Sequence, residues 1–218
     1  MSRRPKTAVL VAPVLATKRI WTRKFDPRLY ENPEGKMGNF DFGLLKKMSK
    51  GVPNTAEAFV RSKLRHEEGP LDEATFRRDA VGNAFLLSPA CPDLIARPGL
   101  FWPALDSDVW TDDQHLAIAV TLWFPQTSSQ HLAMRAATSF AQTNLADKRG
   151  LCVQVVAHAP HRIGLGGDFH VHLVVSARTA VVGGLGKFAR DLLGHGGQSL
   201  LYAEWVSFLA ALAPAIRV

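Results

Sequence analysis

At 218 residues, the chain is long enough to bury a core and fits one domain with an appendage. A hydrophobic fraction of 47% and a charged fraction of 21% exclude a disordered chain, and no apolar run has the length of a bilayer span. Two cysteines, Cys91 and Cys152, without C-x-x-C spacing exclude a disulfide framework and fit a reducing cytoplasm. The opening "MSRRPKTAVLVAPVLATKRIW" has the outline of a signal peptide. Its apolar part is short, contains Pro13 and runs into "TKRIWTRK", so secretion is not expected.

Charge is unevenly spread. Residues 1–50 carry twelve lysines and arginines against four acids, whereas the remainder is nearly balanced. A basic leader of this kind reads either as an arm that binds nucleic-acid phosphates or as a solvated tail. Trp21, among Lys18, Arg19, Arg23 and Lys24, suits stacking on a base or docking on the domain surface. Residues 1–38 are taken as a basic extension and 39–218 as the folded domain.

Along the domain, 40–50 has strand character and "GVPN" breaks the chain. Asn54 with Glu57 three residues later predicts a capping box for a helix in "TAEAFVRSKLRHEE". "AVGNAFLLSP" reads as a strand, and the prolines of "PDLIARPGLFWPALDSD" limit any helix there to a short or broken one. "HLAIAVTLWFP" (115–125) is a strand closed by Pro125. In the next segment Leu132, Ala136, Phe140 and Leu145 lie near helical spacing, with Gly150 as the stop. "LCVQVVAHAP" and "FHVHLVVSAR" form an antiparallel hairpin across a glycine-rich loop, and the stretch from 186 onward reads as two helical pieces split by "GHGG". Strands and helices mix without a regular βαβ repeat, so the fold class is α+β with an antiparallel sheet.

"GDFHVHLVVSAR" puts His170 and His172 two residues apart, hence on one face of a strand. His158 ends the preceding strand, where a neighbour meets them, and His161 in the loop competes for that position. Three neutral imidazoles on a sheet make a facial site with open positions, better suited to Mn, Zn or Ni than to Ca. The plain alternative is a set of satisfied histidines at a strand edge.

The stretch "GLCVQVVAHAPHRIGLGGDFHVHLVVSAR" resembles the metal-binding core of the MobA/MobL family of plasmid mobilisation relaxases, which are HUH endonucleases. His170, Val171 and His172 match the paired-histidine motif, and His158 in "VAHAP" matches the third ligand, with Ala159 where the family carries an acid. "VVSAR" places Arg178 as a DNA contact, and "AFLLSPACPDLIARPGLFWPALD", "HLAIAVTLWFP" and "GQSLLYAEWVSFLAALA" resemble outer segments of the family. The resemblance implies an antiparallel sheet of about five strands backed by helices, and a divalent metal such as Mn or Mg. It also implies single-stranded DNA at a transfer origin as ligand, relaxosome proteins as partners, no membrane, and a cytoplasmic place. Family members cut DNA with a tyrosine, leaving a 5′-phosphotyrosine and a free 3′-hydroxyl.

Two family features are missing. The tyrosine belongs on the first helix, and "NTAEAFVRSK" offers Phe59 or Val60 there. The strand that often carries acids reads Ile118, Ala119, Val120 and Thr121. The chain has two tyrosines: Tyr202, on the closing helix beside Trp205, reads as packing, and Tyr30, in the extension, is a substitute nucleophile only if the arm folds back. Three readings follow: a Tyr→Phe exchange at Phe59, a degenerate relaxase that binds metal and DNA without cutting, or catalysis by Tyr30. Loss of the acidic positions as well ranks the degenerate reading first. A metal-dependent hydrolase using the same histidines is a separate alternative.

Overall fold

The structure is a computed structural model that describes residues 29–31, 37–64, 77–107, 113–125, 127 and 129–212. Lys18, Arg19, Trp21, Arg23 and Lys24 lie outside the described residues. In chain order the elements are β1 (Leu29–Glu31), β2 (Phe40–Lys46), β3 (Met48–Ser49), β4 (Val52–Pro53), α1 (Ala56–Leu64), β5 (Ala80–Leu86), α2 (Pro98–Ser107) and β6 (His115–Phe124). They continue as α3 (Gln130–Phe140), β7 (Leu151–His158), β8 (Phe169–Val181), β9 (Gly184–Phe188), α4 (Arg190–Leu193) and α5 (Gly197–Leu212).

The main sheet runs β1-β2-β6-β8-β7-β5, every pair antiparallel, and β9 pairs with the far end of β8. The expected α+β class and helix-backed antiparallel sheet are present. Two short strands extend the sheet beyond the five expected: β1, inside the stretch read as an extension, and β9.

β8 is central because it is apolar on both faces along most of its length. Phe169, Val171, Leu173, Val175 and Ala177 pack with Phe140, Leu145, Leu201 and Trp205 from the helices α3 to α5 on one side. Val174 and Ala180, with Cys152 and Val156 of β7, pack on the other side against Phe59, Val60, Leu64, Phe101 and Trp102 of α1 and α2. The histidines continue that second face toward the opposite end of the sheet.

Three local expectations change. The start of α1 is not an Asn54–Glu57 capping box: Asn54 Nδ2 donates to the Lys46 carbonyl. The helix is capped by Thr55 Oγ1, which accepts from Ala58, and by Asp106 of α2, whose carboxylate accepts from the backbone N–H groups of Ala56 and Glu57 at 2.6 and 2.9 Å. A carboxylate at the positive end of a helix dipole ties α1 to α2 and so fixes where α1 starts. Residues 186–188, read as the start of a helix, belong instead to β9, because β8 runs on to Val181 and turns back on itself. The two helical pieces that follow are α4 and α5, and Gly196 between them has φ +90°, a conformation open to glycine. Finally, α3 continues as a π-helix over Ala141–Asp147. That explains why Phe140 and Leu145, five residues apart, both reach the core.

No helix among the described residues is long and apolar enough to cross a membrane.

Candidate metal centre

In the β7–β8 register His158 faces His170, and His172 lies two residues along on the same face. The three rings are 4.8 to 5.3 Å apart between centroids. One nitrogen from each comes within 4.8 Å of the others, close enough to share one ion. His161 stands outside this group. The chain leaves the sheet at Ala159 and forms a 3-10 turn over Pro160–Ile163, where His161 is exposed with Nε2 3.1 Å from Gln130 Nε2.

The outer partners decide which nitrogen each ring presents. His170 Nδ1–H donates to the Asp168 carbonyl at 2.9 Å, which leaves Nε2 with its lone pair. His172 Nδ1 is 3.0 Å from Thr121 Oγ1 on β6. His158 lies between two acceptors, with Nδ1 3.2 Å from Asp79 Oδ2 and Nε2 2.8 Å from the Lys63 carbonyl. A neutral imidazole has one N–H for those two acceptors, so one ring nitrogen must present a lone pair. With Nδ1–H on the Asp79 carboxylate, Nε2 would offer its lone pair to an ion by turning away from the Lys63 carbonyl, which can only accept. A carboxylate, a carbonyl and a hydroxyl behind three imidazoles are the outer partners expected of metal-binding histidines.

All three rings are held neutral. Removal from water is the main cause; it lowers His158 to about 4, His170 below its ordinary value and His172 well below it. The Asp79 carboxylate opposes this shift at His158. Neutral imidazoles are the form that binds a metal, so the donor set fits a divalent first-row ion.

Asp79 escapes a reading of the sequence alone. It is 3% exposed and bound by Arg77 Nε at 3.1 Å and Nη2 at 3.3 Å. Burial raises its pKa, but His158 and Arg77 outweigh that and hold it below the usual carboxylate value. The expected acid after His158 is missing because position 159 is Ala. The residue directly before β5, the neighbour of β7, places a carboxylate at His158, with the Asp79 carbonyl accepting from the Ala159 N–H at 2.8 Å. The sequence signal is an acid directly before a strand that pairs with the histidine strand. Asp79→Asn is expected to lower metal affinity by about 10–100-fold while leaving the circular-dichroism spectrum unchanged, as isothermal titration would show.

The other expected residues fall as follows. Phe59 is 1% exposed on the sheet-facing side of α1, and the Lys63 ammonium lies 4.8 Å from its ring centroid. Tyr30 pairs with Leu44 in the β1–β2 register. Arg178, expected as a DNA contact, is 4% exposed. Its Nε donates to Gly186 and its Nη2 to Leu185, at 2.7 and 2.9 Å, so it fastens β9 to β8. Of the strand positions that lack acids, Ile118 and Val120 are core on the opposite face, and Thr121 is the His172 partner. Beside the triad, the Trp123 ring lies 4.5 Å from that of His170 and its Nε1–H donates to Asp41.

No family model and no curated protein matches the sequence. Among solved structures, one reported as the molecular basis of vancomycin resistance transfer in Staphylococcus aureus aligns at a TM-score of 0.60 and 15% identity. The alignment covers 81% of this chain and 92% of that one. The conjugative relaxase TrwC in complex with oriT DNA, in a metal-bound structure, aligns at a TM-score of 0.49 and 13% identity, over 82% of this chain and 70% of that one. Identity this low speaks to architecture alone. The chain shares the fold of the first of these structures, and its own paired histidines lie on a central strand of the sheet.

Proposed function

We propose that the protein binds single-stranded DNA through a divalent ion held by His158, His170 and His172, as a relative of the MobA/MobL relaxases that lacks their cutting tyrosine. The observation that carries this reading is the convergence of three neutral imidazoles on β7 and β8, neighbouring strands of the antiparallel sheet. A bound ion would supply Lewis acidity toward a phosphate oxygen. Asp79, Asp168 and Thr121 orient the three rings, and burial keeps them unprotonated. Mn²⁺ or a similar first-row ion suits three nitrogens better than Mg²⁺ does.

For the cutting step, the helix position matched to the nucleophile holds a phenyl ring. Tyr30 lies on β1, three strands from β8 along the sheet. At roughly 4.8 Å per strand this is on the order of 14 Å. The reading is therefore a binding module of plasmid transfer, working in the cytoplasm beside relaxosome proteins, with the basic residues of 1–28 adding phosphate contacts.

Fluorescence anisotropy with a mixed-sequence single-stranded oligonucleotide tests it. Affinity is expected to rise on adding Mn²⁺ to the EDTA-treated protein, to exceed that for the matching duplex, and to leave no covalent adduct. Deleting residues 1–28 should flatten the salt dependence by about 0.7 in log–log slope for each phosphate that the arm neutralises. Equal affinity with EDTA and with Mn²⁺ would overturn the reading.

A further inference from the structure

The last carbonyls of a helix have no partner within it and must find one outside. Three successive carbonyls at the end of α1 find theirs at the metal centre. Arg77 Nη1 donates to the Ser62 carbonyl at 3.1 Å, His158 Nε2 lies 2.8 Å from the Lys63 carbonyl, and the Arg77 backbone N–H donates to the Leu64 carbonyl at 2.7 Å. Arg77 also binds Asp79 through Nε and Nη2, and Asp79 Oδ2 is 3.2 Å from His158 Nδ1. These contacts close a ring that leaves α1 at Ser62, passes through Arg77, Asp79 and His158, and returns to α1 one residue further on. His158 belongs both to this ring and to the triad.

A carbonyl only accepts, so His158 Nε2 serves Lys63 as an N–H, whereas it serves an ion through a lone pair. One nitrogen cannot do both. The Asp79 carboxylate at Nδ1 also only accepts, and a charged acceptor holds an N–H more strongly than a neutral carbonyl does. Nε2 is therefore the nitrogen that changes hands, with the ring's one proton moving to Nδ1. Resting on the reading that the triad holds a divalent ion, we propose that the ion and the last turn of α1 compete for His158 Nε2, so that filling the metal site uncaps the Lys63 carbonyl. Arg77 keeps the Ser62 and Leu64 carbonyls tied, so the helix end loosens at one carbonyl without leaving the sheet. The coupling is reciprocal: whatever tightens the hold of α1 on His158 weakens ion binding by the same factor. Because α1 also carries Phe59, loading of the metal site is felt on the helix matched to the nucleophile.

Zn²⁺ is the probe, since it is diamagnetic and suits imidazole nitrogens, and it is added to the EDTA-treated full chain. Two-bond ¹H–¹⁵N correlation spectra of protein labelled with ¹⁵N-histidine read the proton on His158, expected on Nε2 without Zn²⁺ and on Nδ1 with it. Amide hydrogen exchange in the last turn of α1 is expected to speed up about fivefold on saturation, the order for one lost hydrogen bond, while exchange in β7 and β8 slows. His172→Ala, which lacks one donor of the triad, should show neither change in α1 nor the proton shift on His158. Unchanged or slower exchange at the end of α1 in Zn²⁺-loaded wild type, or an Nε2–H kept on His158, overturns the competition and leaves the triad as the metal site. The same acceleration in His172→Ala also overturns it. Failure of wild type to bind Zn²⁺ overturns the metal reading with it.

Discussion

His172→Ala is expected to strip the protein of stoichiometric Mn²⁺, lowering affinity by more than the roughly hundredfold upper end for losing an outer partner of a metal ligand. His172 is one of three nitrogen donors, and among the described residues the triad is the single His/Cys/Asp/Glu group placed to hold an ion. Two donors from His158 and His170 do not replace it, and the thiols are poor substitutes. Burial pushes Cys152 up to about 12, and it raises Cys91 as well. The fold should survive, because the change removes a neutral, half-buried ring on a strand held by β6 on one side and β7 on the other. His161→Ala supplies the matched control: its ring is exposed on the 3-10 turn and should leave metal content untouched. Metal analysis after dialysis against buffered Mn²⁺ reads both variants. Full occupancy in His172→Ala, or equal loss in the two, would remove the triad as the binding site.

The triad is legible in the sequence because strand geometry is local. A two-residue spacing on β8 and a hairpin partner in β7 suffice to bring three rings together, and the β7–β8 pairing realises both. What stays hidden depends on non-neighbouring elements. Asp79 reaches His158 through the pairing of β5 with β7, which joins segments far apart in sequence. Asp106 caps α1 from α2 some fifty residues away, so a tertiary interaction overrides the local Asn54–Glu57 pattern. Arg178 is a further case of a partner that lies outside its own segment. The motif match implies a DNA contact there, and β9, which the sequence does not announce, supplies the carbonyls that its guanidinium meets in the structure. The five-residue step from Phe140 to Leu145 lies in plain view, but the seven-residue π-helix that gives it meaning is too rare to assume.

Phe59→Tyr is the variant expected to restore a cutting step. The ring is 1% exposed on α1, whose far end is anchored at the triad by the Lys63 carbonyl and whose start is pinned by Asp106. A tyrosine in the same rotamer adds one hydroxyl to a buried position, and leaving it unpaired costs about 1–3 kcal/mol. The Lys63 ammonium over the ring lowers that cost and favours the phenolate, the form that attacks. In the balanced step the tyrosine oxygen bonds to phosphorus, the bond to the 3′-oxygen breaks, and the departing oxygen takes up a proton to become a free 3′-hydroxyl. Incubating Phe59→Tyr with Mn²⁺ and a single-stranded oligonucleotide is therefore expected to give a covalent protein–DNA band that survives denaturing electrophoresis, where wild type gives none. Phe59→Tyr combined with His172→Ala should lose that band, and Tyr30→Phe in the same background should keep it. A Phe59→Tyr protein that binds metal and DNA as wild type does yet forms no adduct would show that α1 does not carry the nucleophile's position.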